Sequence, residues 1–266
     1  MKKTLALLLV VVILVSSVGL FASCKKTEKT AITVGYTIYE PMNYLDENGN
    51  LVGFDTELAQ KVFGNLGYEV IFKEIEWKNK YIDLKSGTID CIWNGFTANT
   101  SDDDGVARSK KVDFSYNYMR NKQVVVVKAG SGIATEADLA GKIGVAETGS
   151  AGEEFAKDSF KNSTIRGVTA QVNALMEVNA GTADFAVLDD QLANSYCGKG
   201  DYASLTVVEA LSGDNEFYAI GFKKKSKLTA KVNEQLEALA ADGTLLALAQ
   251  KYGVELTVIT DFSDQK

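Results

Sequence analysis

One short pattern occurs twice in this chain, and it constrains the fold more than any single motif. Ser86-Gly87-Thr88-Ile89-Asp90 runs into Cys91-Ile92-Trp93, and Ala180-Gly181-Thr182-Ala183-Asp184 runs into Phe185-Ala186-Val187-Leu188. Each copy reads as a helix stopped by glycine, a Thr-x-Asp connection, then a buried strand with a polar carboxyl end. Two αβ connections can look alike by chance. The reading with functional content is two related lobes, each offering polar groups from the equivalent edge.

Hydrophobic periodicity fills in the rest. Strands are predicted at 32–35, 69–72, 91–93, 123–127, 143–145, 164–168, 185–188 and 217–222. Helices are predicted from Asp55 through Leu66, through Ile82 and Leu84, near 135–139, from Ser150 through Phe160, at 172–180, after Asp190, at 228–241 and at 244–252. Asp55 is the expected cap of the first of these, and Asn48-Gly49 marks a tight turn. Strands alternating with helices imply an α/β fold with parallel sheet. The four valines 124–127 suit either a fully buried strand or a crossing between lobes.

In open α/β sheets ligands sit beyond the carboxyl ends of the strands. That directs attention to the loop after Trp93, which offers Asn94, Thr97, Asn99, Thr100 and Ser101, then an acidic run, then Arg108. A guanidinium matches a carboxylate fork to fork, and no other arginine lies between Thr97 and Phe114. A solvated loop is the plainer alternative.

Composition excludes several functions. With 28 basic and 35 acidic residues and a net charge of −7, the chain is a poor partner for nucleic acid. It has no histidine, which removes the commonest general base and metal ligand; neither metal nor cofactor is expected. Met1-Lys2-Lys3 followed by an apolar run at 5–21 reads as a secretory signal covering residues 1–23. Ala22-Ser23 before Cys24 resembles the end of a bacterial lipoprotein signal, although Phe21 stands where that pattern prefers leucine. On that resemblance Cys24 is the lipidated first residue of the mature chain, and residues 24–30 are a polar tether to the membrane. Cys91 and Cys197 are expected to be unpaired, one in each lobe.

The ordered motifs Tyr39-Glu40-Pro41-Met42-Asn43-Tyr44, Asp46-Glu47-Asn48-Gly49, Gly53-Phe54-Asp55, Leu84-x-Ser86-Gly87-Thr88-Ile89-Asp90, Val112-Asp113-Phe114-Ser115, Ala180-Gly181-Thr182-Ala183-Asp184 and Ala241-Asp242-Gly243-Thr244 resemble those of the extracytoplasmic solute-binding proteins of polar amino-acid ABC transporters. The resemblance covers nearly all of the mature chain. It implies a two-lobed periplasmic-binding-protein type II fold, each lobe a mainly parallel sheet flanked by helices, joined by two strands and closing like a clamp. Lobe one would comprise 31–122 and 223–266, lobe two 123–222, with the crossings at 124–127 and 218–221. It further implies a monomer outside the cytoplasm that passes a free amino acid to a membrane permease.

Residue by residue, the resemblance places ligand-binding aromatics at Tyr39 and Trp77, sandwiching the ligand side chain. It places ammonium acceptors in the segment Asn94-Gly95-Phe96-Thr97, and a carboxylate-binding helix start at Thr148-Gly149-Ser150. It puts an ammonium-binding aspartate at Asp190, with Asp189 one residue away. The family arginine follows the threonine by about five residues, where this chain has Asp102. Spacing to Phe114-Ser115 assigns the role to Arg108 and implies a six-residue insertion in the loop. Glu40, Glu76 and Asp189 about the mouth favour a polar or cationic ligand side chain. The competing reading is an enzyme, a dehydratase acting on a cyclic amino acid, whose general acid would be Glu40 or Glu147.

Overall fold

The computed structural model describes residues 31–265. The signal peptide expected at 1–23, the lipidation expected at Cys24 and the tether expected over 24–30 lie outside the described residues. Among the described residues no helix is long and apolar enough to cross a membrane.

Two mixed sheets form the two lobes. The first holds β1 (Ala31–Tyr36), β4 (Glu69–Glu74), β5 (Cys91–Ile92), β6 (Asp113–Phe114) and β13 (Gly221–Phe222), in the order β4-β1-β5-β13-β6. Strand β1 runs parallel to β4 and β5, while β13 runs against β5 and β6. The second holds β7 (Met119–Lys128), β8 (Ile143–Glu147), β9 (Thr164–Val168), β10 (Phe185–Asp189) and β11 (Leu205–Val207), ordered β11-β7-β10-β8-β9. Here β8 is parallel to β9 and β10, and β7 is antiparallel to β10 and β11. A separate hairpin, β2 (Tyr44–Leu45) and β3 (Leu51–Val52), closes through the Asn48-Gly49 turn.

The repeated motif does the same physical work in both lobes. Gly87 and Gly181 end helices α2 (Lys80–Ser86) and α5 (Gln171–Ala180) in the left-handed conformation. The next amides turn back onto the helix, Thr88 N–H to the Asp83 carbonyl and Thr182 N–H to that of Glu177, each at 3.0 Å. The aspartate then clamps the start of the neighbouring strand. Asp90 Oδ2 accepts from Thr33 N–H at 2.8 Å, and Asp184 Oδ2 accepts from Ile143 N–H at 2.8 Å. The strands that follow, β5 and β10, are buried throughout and point their carboxyl ends at each other's lobe.

Three expectations are corrected. Val124–Val127 is not the crossing: these residues pair one for one with Phe185–Leu188 inside the second sheet. The chain crosses earlier, where the first half of β7 pairs with β12 (Asn215–Tyr218) as Met119↔Tyr218 through Lys122↔Asn215. An apolar run reports burial, and the valines are buried by sheet neighbours on both sides; the crossing itself contains Arg120, Asn121 and Lys122. The strand expected over 217–222 is two strands, β12 and β13, because the chain changes sheets at Ala219-Ile220. There Ala219 N–H donates to the Phe96 carbonyl and Ile220 N–H to Ser115 Oγ.

Asp55 does not cap its helix. It lies inside the first turn of α1 (Phe54–Asn65), fully buried, with Oδ2 accepting from Gly95 N–H at 2.8 Å and Tyr118 O–H at 2.9 Å. Cys91 and Cys197 are both free thiols.

Candidate functional site

The carboxyl ends of β5, β8 and β10 converge on one cavity. Trp77, Asn94, Gly95, Thr97, Arg108, Glu147, Ser150, Ala151, Gln171 and Asp189 line it. The first lobe supplies the residues up to Arg108 and the second supplies the rest. The lobes meet so closely that the cavity measures about 10 Å³, room for roughly one water. A larger ligand enters only when the lobes part or the lining side chains move.

Backbone geometry fixes the first-lobe wall. Gly95 has φ +55°, and a side chain there would stand 2.6 Å from the Tyr39 ring and 3.1 Å from that of Tyr218. Only glycine lets the chain turn at this place. Asn94 is spent internally: its amide donates to the Thr37 carbonyl and Asn43 Oδ1, both at 2.8 Å, and its Oδ1 accepts from Thr37 O–H at 2.7 Å. It braces the loop that presents Gly95 and Thr97.

Arg108 opens the short helix α3 (Arg108–Lys111) and is 1% exposed. Nε donates to Asp102 Oδ1 at 2.8 Å, Nη1 to the Thr97 carbonyl at 3.2 Å, and Nη2 to the Gly149 carbonyl across the cleft at 3.4 Å. Asp102 lies in the loop between Thr97 and Arg108, and its other oxygen accepts from Lys111 Nζ at 2.8 Å. Burial pushes the Asp102 carboxyl up, but Arg108 and Lys111 outweigh that and hold it below its ordinary value. The loop between Thr97 and Arg108 therefore supplies the arginine with a counter-ion.

A second cation stands nearby. Lys80 Nζ donates to the Gly149 carbonyl at 2.9 Å and lies 4.9 Å from the Trp77 ring centre and 4.8 Å from that of Tyr81. Burial first and Arg108 next bring its ammonium down to about 7.

The second-lobe wall is acidic. Asp189 ends β10 and receives three amides: Asn121 at 2.7 Å and Gln123 at 2.6 Å on Oδ1, and Gln171 on Oδ2. Burial raises its carboxyl despite those donors. Glu216, on the crossing strand β12, accepts from Thr97 O–H at 3.1 Å, Asn121 at 3.1 Å and Gln123 at 2.8 Å, all on Oε2. Burial and then Asp189 push it up to about 7. Glu147 ends β8; burial and Asp189 push it up to about 8, against a lowering pull from Lys80.

Ser150 caps α4 (Ala151–Ser159), its Oγ accepting from Glu153 N–H at 3.0 Å, while Glu153 in turn accepts from Gly149 N–H at 2.8 Å. This reciprocal arrangement presents the helix start, with its positive dipole end, to the cavity.

Six of the eight sequence-derived ligand residues thus meet at one cavity: Trp77, Asn94, Gly95, Thr97, Arg108 and Ser150. Two do not. Tyr39 lies behind Gly95 with its hydroxyl 2.6 Å from that of Tyr218, so it cannot sandwich a ligand with Trp77 in this arrangement. Asp190 is the first residue of α6 (Asp190–Tyr196) and turns away from the cavity; Asp189, on the strand, faces it. Glu76 is exposed and paired with Lys78 at 3.0 Å, and Glu40 is not in the lining. Lys80, Gln171 and Glu216 were not singled out. Gln171 starts a helix after a strand, a position that could have suggested it; Lys80 and Glu216 reach the cleft only through the tertiary fold.

From residue 32 to 255 the sequence matches the bacterial extracellular solute-binding proteins, family 3, and the chain belongs to that family. It is 30% identical to the arginine-binding extracellular protein ArtP of Bacillus subtilis over 260 residues, 95% of this chain and 98% of that one. It is 32% identical over 239 residues to the L-cystine-binding protein TcyJ of Escherichia coli K12, covering 88% of this chain and 86% of the relative. The crystal structures of the arginine-, lysine-, histidine-binding protein ArtJ of Geobacillus stearothermophilus superpose with a TM-score of 0.75 at 30% identity, covering 84% of this chain and 95% of that one.

Proposed function

We propose that the chain binds a free α-amino acid between its lobes and delivers it to the permease of an ABC transporter. Arg108 takes the α-carboxylate together with the start of α4, and Asp189 takes the α-ammonium. The observation that carries this is the placement of a buried guanidinium and a buried carboxylate on opposite walls of one cavity. A zwitterion satisfies both at once, so ligand favours the closed state. The amino-acid names of the relatives support the same class. Two buried second-lobe carboxylates, Glu147 and Asp189, and the half-buried Glu216 on the crossing strand favour a polar or cationic side chain over an acidic one.

The remaining organisation is part of the same reading. The lobes divide near residues 122 and 222, the chain works outside the cytoplasm as a monomer, and Cys24 anchors it to the membrane by lipid. Calorimetric titration with the twenty amino acids, cystine and ornithine tests the function. Binding of at least one, with release of the same compound on denaturation of cell-derived protein, is expected; no binding by any of them overturns it.

A dehydratase remains the second reading because of one observation. Glu147 is a buried carboxyl in the cavity that is held up to about 8, and so is protonated at neutral pH as a general acid must be. Turnover of prephenate or arogenate would establish the enzyme.

A further inference from the structure

Three carboxylates border the cleft, and two of them are already served by protein donors. Asp189 receives the amides of Asn121, Gln123 and Gln171, and Glu216 receives Thr97, Asn121 and Gln123. Glu147 is different. It is 3% exposed, it lines the cavity, and its Oε1 has no hydrogen-bond partner. A carboxylate oxygen buried without a donor is costly.

The charged groups around Glu147 do not relieve it. Asp189 is of the same sign. Lys80, the opposite charge that acts on it, forms no ion pair with it: its ammonium goes to the Gly149 carbonyl and rests over the Trp77 and Tyr81 rings. Arg108 is committed to Asp102, Thr97 and Gly149. The acceptor is therefore poised for a donor that arrives from outside the protein. Trp77 lines the same cavity from the first lobe, and its ring already has a cation near it, so the cavity offers a charge from one wall and an aromatic surface from the other to an incoming cation.

We propose that Glu147 is the specificity-determining residue of the cleft: it receives the cationic end of the ligand's side chain, a guanidinium or an ammonium. This rests on the amino-acid reading above, in which Arg108 and Asp189 hold the α-groups. A ligand cation there supplies the missing donor and the missing charge together. It also draws Glu147 into its ionised form, so binding releases a proton. Lys80, whose ammonium is already weakened by burial and by Arg108, yields to the second cation by moving or by losing its own proton.

The test is a calorimetric comparison of arginine with citrulline, its neutral isostere, on the wild-type protein and on Glu147→Gln. Wild type is expected to prefer arginine by about 30-fold or more, a gap of about 2 kcal/mol. Glu147→Gln should narrow the preference to within about threefold, by weakening arginine and leaving citrulline near its wild-type affinity. Repeating the arginine titration in buffers of different ionisation enthalpy should show proton release that the variant loses. Glu147→Asp, which keeps the charge, should retain most of the preference, separating charge from packing. The proposal is overturned if Glu147→Gln keeps the wild-type ratio, or if wild type binds citrulline or glutamate as tightly as arginine. In those cases the amino-acid reading stands. If no amino acid binds either protein, that broader reading fails instead.

Discussion

The two walls of the cleft carry opposite charge. Facing inward from the first lobe are Arg108 and Lys80; facing them from the second are Glu147 and Asp189, with Glu216 at the crossing between them. The same αβ unit, repeated, delivers the two strands β5 and β10, yet the groups at their ends differ in kind. After β5 the chain offers a glycine turn and a threonine; β10 ends on an acid. A fold that is symmetric in its scaffold is thus polarised in its chemistry, and a zwitterion is the molecule that fits such a gap in one orientation only. Each of the following expectations breaks or sharpens this division.

The largest effect should come from removing the fork on the cationic wall. Arg108→Ala is expected to weaken amino-acid binding by at least a hundredfold, about 3–5 kcal/mol, since the ligand carboxylate would be buried without its partner. Asp102 would also lose its main counter-charge, so the melting temperature should fall by a few degrees. Exposed Lys110, replaced by alanine, should change affinity little. Wild-type affinity in Arg108→Ala would move the carboxylate site elsewhere.

On the opposite wall, Asp189→Asn is expected to cost roughly tenfold to a hundredfold in affinity. Asn121, Gln123 and Gln171 would then aim three amides at an amide, so part of the loss is local repacking. The same substitution at Asp190 should be nearly silent. Titrating both variants side by side decides which of the adjacent aspartates belongs to the site.

The acidic wall also predicts a pH dependence of stability. Asp55 and Glu216 are raised to about 7 and Glu147 to about 8, in each case chiefly by burial. Because these folded values lie above the unfolded ones, the folded chain holds protons that the unfolded chain has released. Their contribution to stability is complete below roughly pH 4 and is lost as pH rises through 7 to 8. Lys80, lowered to about 7 by burial and Arg108, acts in the other sense only above that pH. Scanning calorimetry without amino acid should therefore show the melting temperature falling by roughly 5–10 °C between pH 5 and 7, then levelling. A melting temperature that rises over that interval would contradict the account.

The smallest effect concerns closure alone. Lys80→Met removes the shorter of the two bonds to the Gly149 carbonyl and should open the protein measurably in small-angle scattering without amino acid. Affinity should change by no more than about threefold, since the α-groups keep their partners. A tenfold loss would make Lys80 a ligand contact.

The sequence was most informative where the physics is local. The Gly-Thr-x-Asp units could be read because a left-handed helix end and an aspartate clamp need particular residues at fixed offsets. It was less informative where the outcome depends on which neighbour arrives. Asp55 has the identity and position of a helix cap, but Gly95 and Tyr118, distant in sequence, claim its carboxylate. The valines 124–127 announce burial without saying which elements bury them. Asp189 and Asp190 differ by one step of a period-two strand, so helix onset decides which faces inward. Lys80 gives no sign in sequence that its ammonium will lie over a tryptophan ring.

One strand has a mechanical consequence. β7 is bridge and lobe at once, joining the sheets over its first four residues and running through the second sheet over the rest. Asp189 is tied by single hydrogen bonds to Asn121 and Gln123, at the point where one role gives way to the other. If the lobes turn about that bridge, the ammonium is gripped next to the fulcrum. The protein is then a lever loaded on its short arm. A fraction of an ångström at Asp189 becomes a wider arc at the outer faces, where a partner in the membrane would read it.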